Sequence, residues 1–252
     1  MRPLRQVVVA LCLLAPPLCG KADISLAAPT SWARTVNALV DGWKAAGGGE
    51  VTVSFGNSDD QSVEVEAGSR NFDLLILGDP HALYRMVSKG LSLPALRLAS
   101  SPIVLAAGER DKEVALDADF PALLGKDRLA VYDPDSDGIG IATRDILGQA
   151  GLWEPLANRM TRLRAAGAMI RAVQTGEARF AILLRADLAQ AATLHEGAVL
   201  APEGSGQEYI YLVAPVKSHF RPEIARFLAY LRSGAAAEEI RRRGYTPQAG
   251  NN

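Results

Sequence analysis

From residue 23 onward, short apolar runs alternate with amphipathic stretches, and this alternation constrains the fold more than any other feature of the chain. Apolar runs over 23–28, 50–55 and 72–77 read as strands. Between the first two, Trp32, Val36, Leu39, Val40 and Trp43 recur at helical spacing until Gly47-Gly48-Gly49 ends the helix. Further helices are expected over 58–66 and 80–88. A second alternating unit follows, with strand 128–132, helices 142–150 and 166–175, strand 179–184 and helix 187–193. Apolar strands at 101–107 and 209–214 bracket it, and two helices, one marked by Ile224, Phe227, Leu228 and Leu231 and one over 235–243, close the chain. Strands separated by helices predict an α/β fold with a largely parallel sheet. A middle unit entered once and left once predicts two lobes, joined by two hinge crossovers, with a cleft between them. The expected division is a first lobe from 23–100 and 215–252 and a second from 101–214, the hinge strands included.

Residues 1–22 read as a secretory signal peptide. Arg2 and Arg5 precede an apolar stretch over 7–18, and Gly20-Lys21-Ala22 offers small residues for cleavage. The stretch is too short to span a membrane, and Pro16-Pro17 interrupts it. Lipid attachment at Cys19 is disfavoured because Leu18 is bulky where that chemistry wants a small residue. The expectation is therefore a periplasmic protein that begins at Asp23. Cleavage removes Cys12 and Cys19, the only cysteines, and with them disulfides, thiol catalysis and cysteine-ligated metals. It also changes the charge. The whole chain balances 27 basic against 28 acidic residues, net -1; without Arg2, Arg5 and Lys21 the balance is 24 against 28, net -4. No basic excess points to nucleic acid, and Arg241-Arg242-Arg243 is the solvated end of the last helix.

No motif for catalysis stands out. Gly204-Ser205-Gly206 precedes a strand and lacks the nucleophile-elbow pattern. His81, His195 and His219 have no second histidine at ligand spacing, and Gly138-Ile139-Gly140 lacks the third glycine of a dinucleotide site. The expectation is a binding protein without cofactor rather than an enzyme. What the sequence does offer is small polar residues in βα turns: Thr30 and Ser31, Ser58, and the stretch 136–140. Such turns lie at the carboxyl ends of strands, where open α/β sheets bind ligands, and they present backbone N–H groups at helix starts. Each alone is an ordinary N-cap; the three together suggest an oxyanion receptor.

The segments ISLAAPTSW from Ile24, VSFGNSDDQSVEVEAG from Val53, FDLLILGD from Phe72, LAVYDPDSDGIGIA from Leu129, GEARFAILLRAD from Gly176 and FLAYLRSGAAAEEIRRRGYTP from Phe227 carry a resemblance that covers nearly the whole chain after residue 22. The chain resembles the periplasmic molybdate-binding proteins of bacterial ABC transporters. The resemblance implies the two-lobed type II periplasmic binding protein fold. It also implies a monomer that closes on a small inorganic oxyanion and delivers it to an ABC-transporter membrane permease. In that family two serine hydroxyls, backbone N–H groups of the other lobe and a tyrosine hold the oxyanion. The hydroxyls carry over to Thr30, with Ser31 beside it, and to Ser58; the N–H donors fall at Ile139 and around Ala166. Two positions depart from the pattern. Leu184, followed by Arg185, stands where the tyrosine belongs, and the turn Asn57-Ser58-Asp59-Asp60 sets two carboxylates beside a ligand hydroxyl.

These acids open a second reading. Asp59, Asp60, Asp135 and Asp137, facing one another across the cleft, would suit a metal cation or a cationic solute. Asp133, Asp135, Asp137 and Gly138 also match the opening of a calcium loop, although Arg144 stands where the closing glutamate belongs. Acids in a first helical turn are equally ordinary complements of the helix dipole. A third reading is an accessory or sensor protein that has lost its ligand site.

Overall fold

The structure, a computed structural model, describes residues 23–202 and 204–248. The signal-peptide segment, Cys19 included, lies outside the described residues. The elements run β1 (Ile24–Pro29), α1 (Ala33–Ala45), β2 (Val51–Gly56), α2 (Ser58–Glu66), β3 (Leu74–Leu77), α3 (Pro80–Ser88), β4 (Leu96–Ser101), β5 (Ile103–Ala107), α4 (Phe120–Leu124), β6 (Leu129–Tyr132) and α5 (Gly138–Gln149). They continue with α6 (Trp153–Leu156), β7 (Met160–Leu163), α7 (Ala166–Thr175), β8 (Phe180–Leu184), α8 (Arg185–Leu188), β9 (His195–Ala201), β10 (Tyr209–Pro215), α9 (Pro222–Leu231), α10 (Gly234–Arg242) and β11 (Thr246–Pro247).

Two sheets result, in the orders β11-β4-β10-β3-β1-β2 and β7-β6-β8-β5-β9. Of the strands that read as apolar runs, β1, β3, β5, β6, β8 and β10 occupy the interiors, whereas β2 is an edge of the first sheet and only partly buried. β1 pairs in parallel with both β2 and β3, and β8, fully buried, lies between β6 and β5. The helical stripe read from the sequence is the buried face of α1, through Val36, Leu39, Val40 and Trp43. The α/β class and the two-lobed architecture are as expected.

The expectation of largely parallel sheets needs correction. β10 is antiparallel to β3 and β4, and β5 is antiparallel to β8 and β9. A chain that leaves one sheet for another and later returns enters each from the opposite end, so the crossover strands run against their neighbours. β10 also joins the first sheet, although the expected division counted 209–214 with the second lobe. Apolar alternation reports that a strand is buried, not which sheet accepts it. The chain passes between sheets at Pro102, between β4 and β5, and again between β9 and β10. β7 and β9 escaped the sequence reading because both are edge strands carrying polar or small residues, MTRL and HEGAVLA.

Trp32, in the turn after β1, stacks on Tyr211 of β10 with ring centroids 4.3 Å apart, and Tyr245 meets Trp32 edge-on at 5.8 Å. This aromatic group fixes the turn that carries Thr30 and Ser31. Among the described residues no helix is long and apolar enough to cross a membrane.

Candidate functional site

The first lobe contributes two βα turns. After β1 the chain passes through one 3-10 turn, Thr30–Trp32, into α1; Pro29 has no side chain able to cap it. Packing of Trp32 holds the turn instead, and the hydroxyl of Ser31 is left unspent: its Oγ is buried with no hydrogen-bond partner among the described residues. After β2, Asn57 caps α2 by accepting from the N–H groups of Asp59 at 2.7 Å and Asp60 at 3.2 Å. That cap sets Ser58 at the first helical position, buried, its Oγ accepting from the N–H of Gly78 at a long 3.4 Å.

The second lobe contributes two helix starts that differ in one respect. After β6, Asp133 accepts from the N–H of Asp135 at 3.2 Å and from the Ser136 hydroxyl at 3.0 Å, and the chain turns back on itself. Asp137 then caps α5, its Oδ1 accepting the N–H of Ile139 at 2.8 Å. This cap starts α5 at Gly138, four residues before the apolar periodicity indicates. α7 follows Ala165, which offers no side-chain cap; the Ala168 N–H donates to the Ala165 carbonyl oxygen at 3.0 Å, and the amides of Ala166 and Gly167 are left for another partner.

The lobes are in contact. The Asn57 amide donates to the carbonyl oxygen of Ser136 at 2.6 Å, and Arg34 donates to Gln190 at 3.2 Å. Gly138 permits the approach: a Cβ there would stand 2.6 Å from the Tyr209 hydroxyl and 2.8 Å from the carbonyl oxygen of Gly78. Two adjoining cavities remain between the lobes. The smaller, about 260 Å³, is lined by Thr30, Ser31, Ser58, Asp60, Asp137, Arg164 and Tyr209, among others. The larger, about 500 Å³, shares Thr30, Ser31 and Arg164 with it and adds Arg34, Ala166, Gly167, Arg171, Asp187 and Arg243.

Of the expected oxyanion ligands, Thr30, Ser31 and Ser58 therefore meet in one cavity and Ala166 lies in its neighbour. Ile139 lines neither and its amide is bound to Asp137, so the sequence reading of a free donor there is corrected. The physical reason is one residue: an aspartate at the cap closes the amide that a ligand would otherwise use. Leu184 is fully buried, and Arg185 is gripped by Glu196 through bonds of 2.7 and 2.6 Å. A tyrosine does reach the cavity, but it is Tyr209 from β10.

The four aspartates do not converge. Asp59 pairs with Arg85 at 3.1 Å and Asp135 with Arg162 at 3.0 Å, leaving Asp60 and Asp137 on the cavity wall. Among the described residues no three His, Cys, Asp or Glu side chains are placed to hold a metal. Arg34, Arg164, Arg171 and Arg243 line the larger cavity; the sequence reading missed them because they are scattered along the chain and share no motif. Burial pushes the Asp137 carboxyl up to about 6, the N–H groups of Ile139 and Gly140 opposing the rise and the charges of Asp79 and Asp133 adding to it. Burial likewise raises Asp187 to about 7; the Tyr132 hydroxyl, which donates to it at 3.1 Å, and the charge of Arg34 hold it down, and Asp137 pushes it up. The Tyr209 phenol is held well above its ordinary range by burial and then by the charges of Asp137 and Asp79, so it remains a neutral hydroxyl.

Residues 24–246 match the family model described as bacterial extracellular solute-binding protein. The molybdate-binding protein ModA of Escherichia coli K12 is 27% identical over 235 residues, which cover 91% of each chain. Among solved structures, the periplasmic molybdate-binding protein of Azotobacter vinelandii superposes with a TM-score of 0.69 at 20% identity, over 88% of this chain and 98% of its own. Iron-bound HitA from Pseudomonas aeruginosa superposes with a TM-score of 0.76 at 16% identity, over 91% and 87% of the two chains. These two structural likenesses, both below 25% identity, bear on the fold alone.

Proposed function

Because the chain belongs to the family of bacterial extracellular solute-binding proteins, we propose that it captures a small tetrahedral oxyanion, with molybdate or tungstate as the reference ligand, in the cleft between its lobes. Capture is by hinge closure about the two crossovers, and the closed protein hands its cargo to the membrane permease of an ABC transporter from the periplasm. The lobes are divided at Pro102 and between β9 and β10. The protein acts as a monomer, binding and not transforming its ligand.

The observation that carries this reading is the buried hydroxyl of Ser31, which has no partner among the described residues and shares a cavity with Thr30, Ser58 and Arg164. Hydroxyl donors of one lobe face the uncapped start of α7 in the other, the arrangement that a ligand with oxygen acceptors on every side requires. The relatives named molybdate-binding proteins point to the same ligand class. The cation reading lacks comparable support, since Asp59 and Asp135 are spent on arginines. A thermal-shift panel tests the proposal. Molybdate or tungstate at a hundredfold excess over its dissociation constant is expected to add about 2.7 kcal/mol of stability, with no effect from calcium, manganese or iron; stabilisation by the cations alone would replace the oxyanion with a metal.

A further inference from the structure

The two helix starts of the second lobe are not equivalent, and the difference bears on what the cleft accepts. α7 begins without a side-chain cap, whereas α5 begins under the carboxylate of Asp137, which takes the Ile139 N–H at 2.8 Å. That carboxylate also lines the smaller cavity beside Ser58 and Tyr209. An ionised carboxylate has only acceptor lone pairs, and so does a fully deprotonated oxyanion. Placed together in a closed cleft they repel, through their charges and through the absence of any hydrogen between them.

The surroundings do not neutralise Asp137. Asp79, from the turn before α3, and Asp133, from its own turn, both act on it with like charge, and it acts in turn on Asp187 of α8. Asp60 lines the same cavity. The phenols of Tyr132, Tyr209 and Tyr211, which feel its charge, are all held neutral by burial. The cation on this cavity wall is Arg164, whose guanidinium lies 3.8 Å from Asp133 and is largely exposed. Burial has already raised the affinity of Asp137 for a proton, and a bound dianion would raise it further.

We infer that the cleft takes its oxyanion together with one proton, held between a ligand oxygen and the Asp137 carboxylate. This rests on the oxyanion reading above and makes Asp137 the residue that sets which protonation state of the complex forms. The proton has two sources. A ligand without one, such as molybdate or sulfate, draws it from solvent onto Asp137; a ligand that carries one, such as hydrogen phosphate, donates its own to the carboxylate.

Calorimetry on the protein with molybdate and with phosphate, between about pH 6.5 and 8.5 and in two buffers of different ionisation enthalpy, separates the sources. Molybdate is expected to bind with uptake of about one proton and to lose roughly tenfold in affinity per pH unit at the alkaline end. Phosphate is expected to bind at about pH 8 with no net uptake. Asp137→Asn retains an oxygen for the Ile139 N–H and adds a donor, so the helix cap survives. In this variant molybdate should bind without proton uptake and about tenfold more tightly at pH 8, while phosphate should weaken. Molybdate binding by the wild type with no uptake and no pH dependence would overturn the inference, as would an Asp137→Asn variant with the wild-type pH slope. If neither protein binds any oxyanion at any pH, the oxyanion reading itself has failed, and the absence of binding distinguishes that result from binding without a proton.

Discussion

The side chain of Asn57 caps α2 with its oxygen and donates with its amide to the carbonyl oxygen of Ser136 at 2.6 Å, so one residue both starts the helix that carries Ser58 and ties the first lobe to the second. The two roles separate by substitution. Asn57→Asp keeps the cap and loses the donor; it should leave the melting temperature nearly unchanged and weaken ligand binding. Asn57→Ala loses both and should also destabilise the protein by about 1 kcal/mol, as read by chemical denaturation.

Gly138 stands at a close approach between the two lobes. Its backbone is not in the left-handed region, so alanine brings no conformational strain, only a Cβ 2.8 Å from the Gly78 carbonyl oxygen and 2.6 Å from the Tyr209 hydroxyl. Gly138→Ala should therefore hold the lobes apart, costing about tenfold or more in affinity, equivalent to about 1.4 kcal/mol, while the separate lobes remain folded. Small-angle scattering should find the variant more extended in the presence of ligand than the wild type.

The buried acids predict how stability follows pH. Asp187 and Asp137 have folded-state pKa values of about 7 and about 6, above the ordinary aspartate value of 3.8. The folded protein thus holds protons that the unfolded chain releases, and stability falls as pH rises from about 4 through about 7. Glu66, Glu109, Asp111 and Glu208 are shifted downward, so their contribution is lost only at more acid pH. Denaturation midpoints should be higher at about pH 5 than at about pH 8, and Asp187→Asn should flatten the difference.

Trp32 is 1% exposed and stacked on Tyr211, with the Thr30 and Ser31 turn directly before it. Trp32→Ala should cost about 3–5 kcal/mol. The milder Trp32→Phe should keep the fold and still weaken the ligand by releasing the turn, which separates positioning from stability. In the wild type, ligand binding should change tryptophan fluorescence, because Trp32 lines the larger cavity.

Much of this molecule is legible in its sequence, for reasons that residues make concrete. Helices α2, α3 and α7 begin and end where caps, glycines and periodicity place them, because these signals are local. Strand direction is not local: nothing in the alternation of β10 says that it returns from another lobe and so runs antiparallel. The hydroxyls of Thr30, Ser31 and Ser58 were readable because βα turns have a fixed place at the ends of strands. In the sequence Asp137 reads as a cation ligand beside Asp59, Asp60 and Asp135; that it caps the amide of Ile139 while lining the cavity depends on a side-chain torsion that spacing does not encode. Tyr209 and the arginines of the cleft come from distant parts of the chain, and only the fold brings them to the site.

Calorimetric titration of molybdate into the wild type and into Ser31→Ala/Ser58→Ala decides whether hydroxyls of the first lobe hold an oxyanion in the cleft. The wild type is expected to bind one ion saturably, with a loss of about tenfold or more per hydroxyl removed, since each removal leaves a ligand oxygen without its donor. Equal affinity in the two proteins, or no binding by the wild type beside clear binding of a cation, would contradict it.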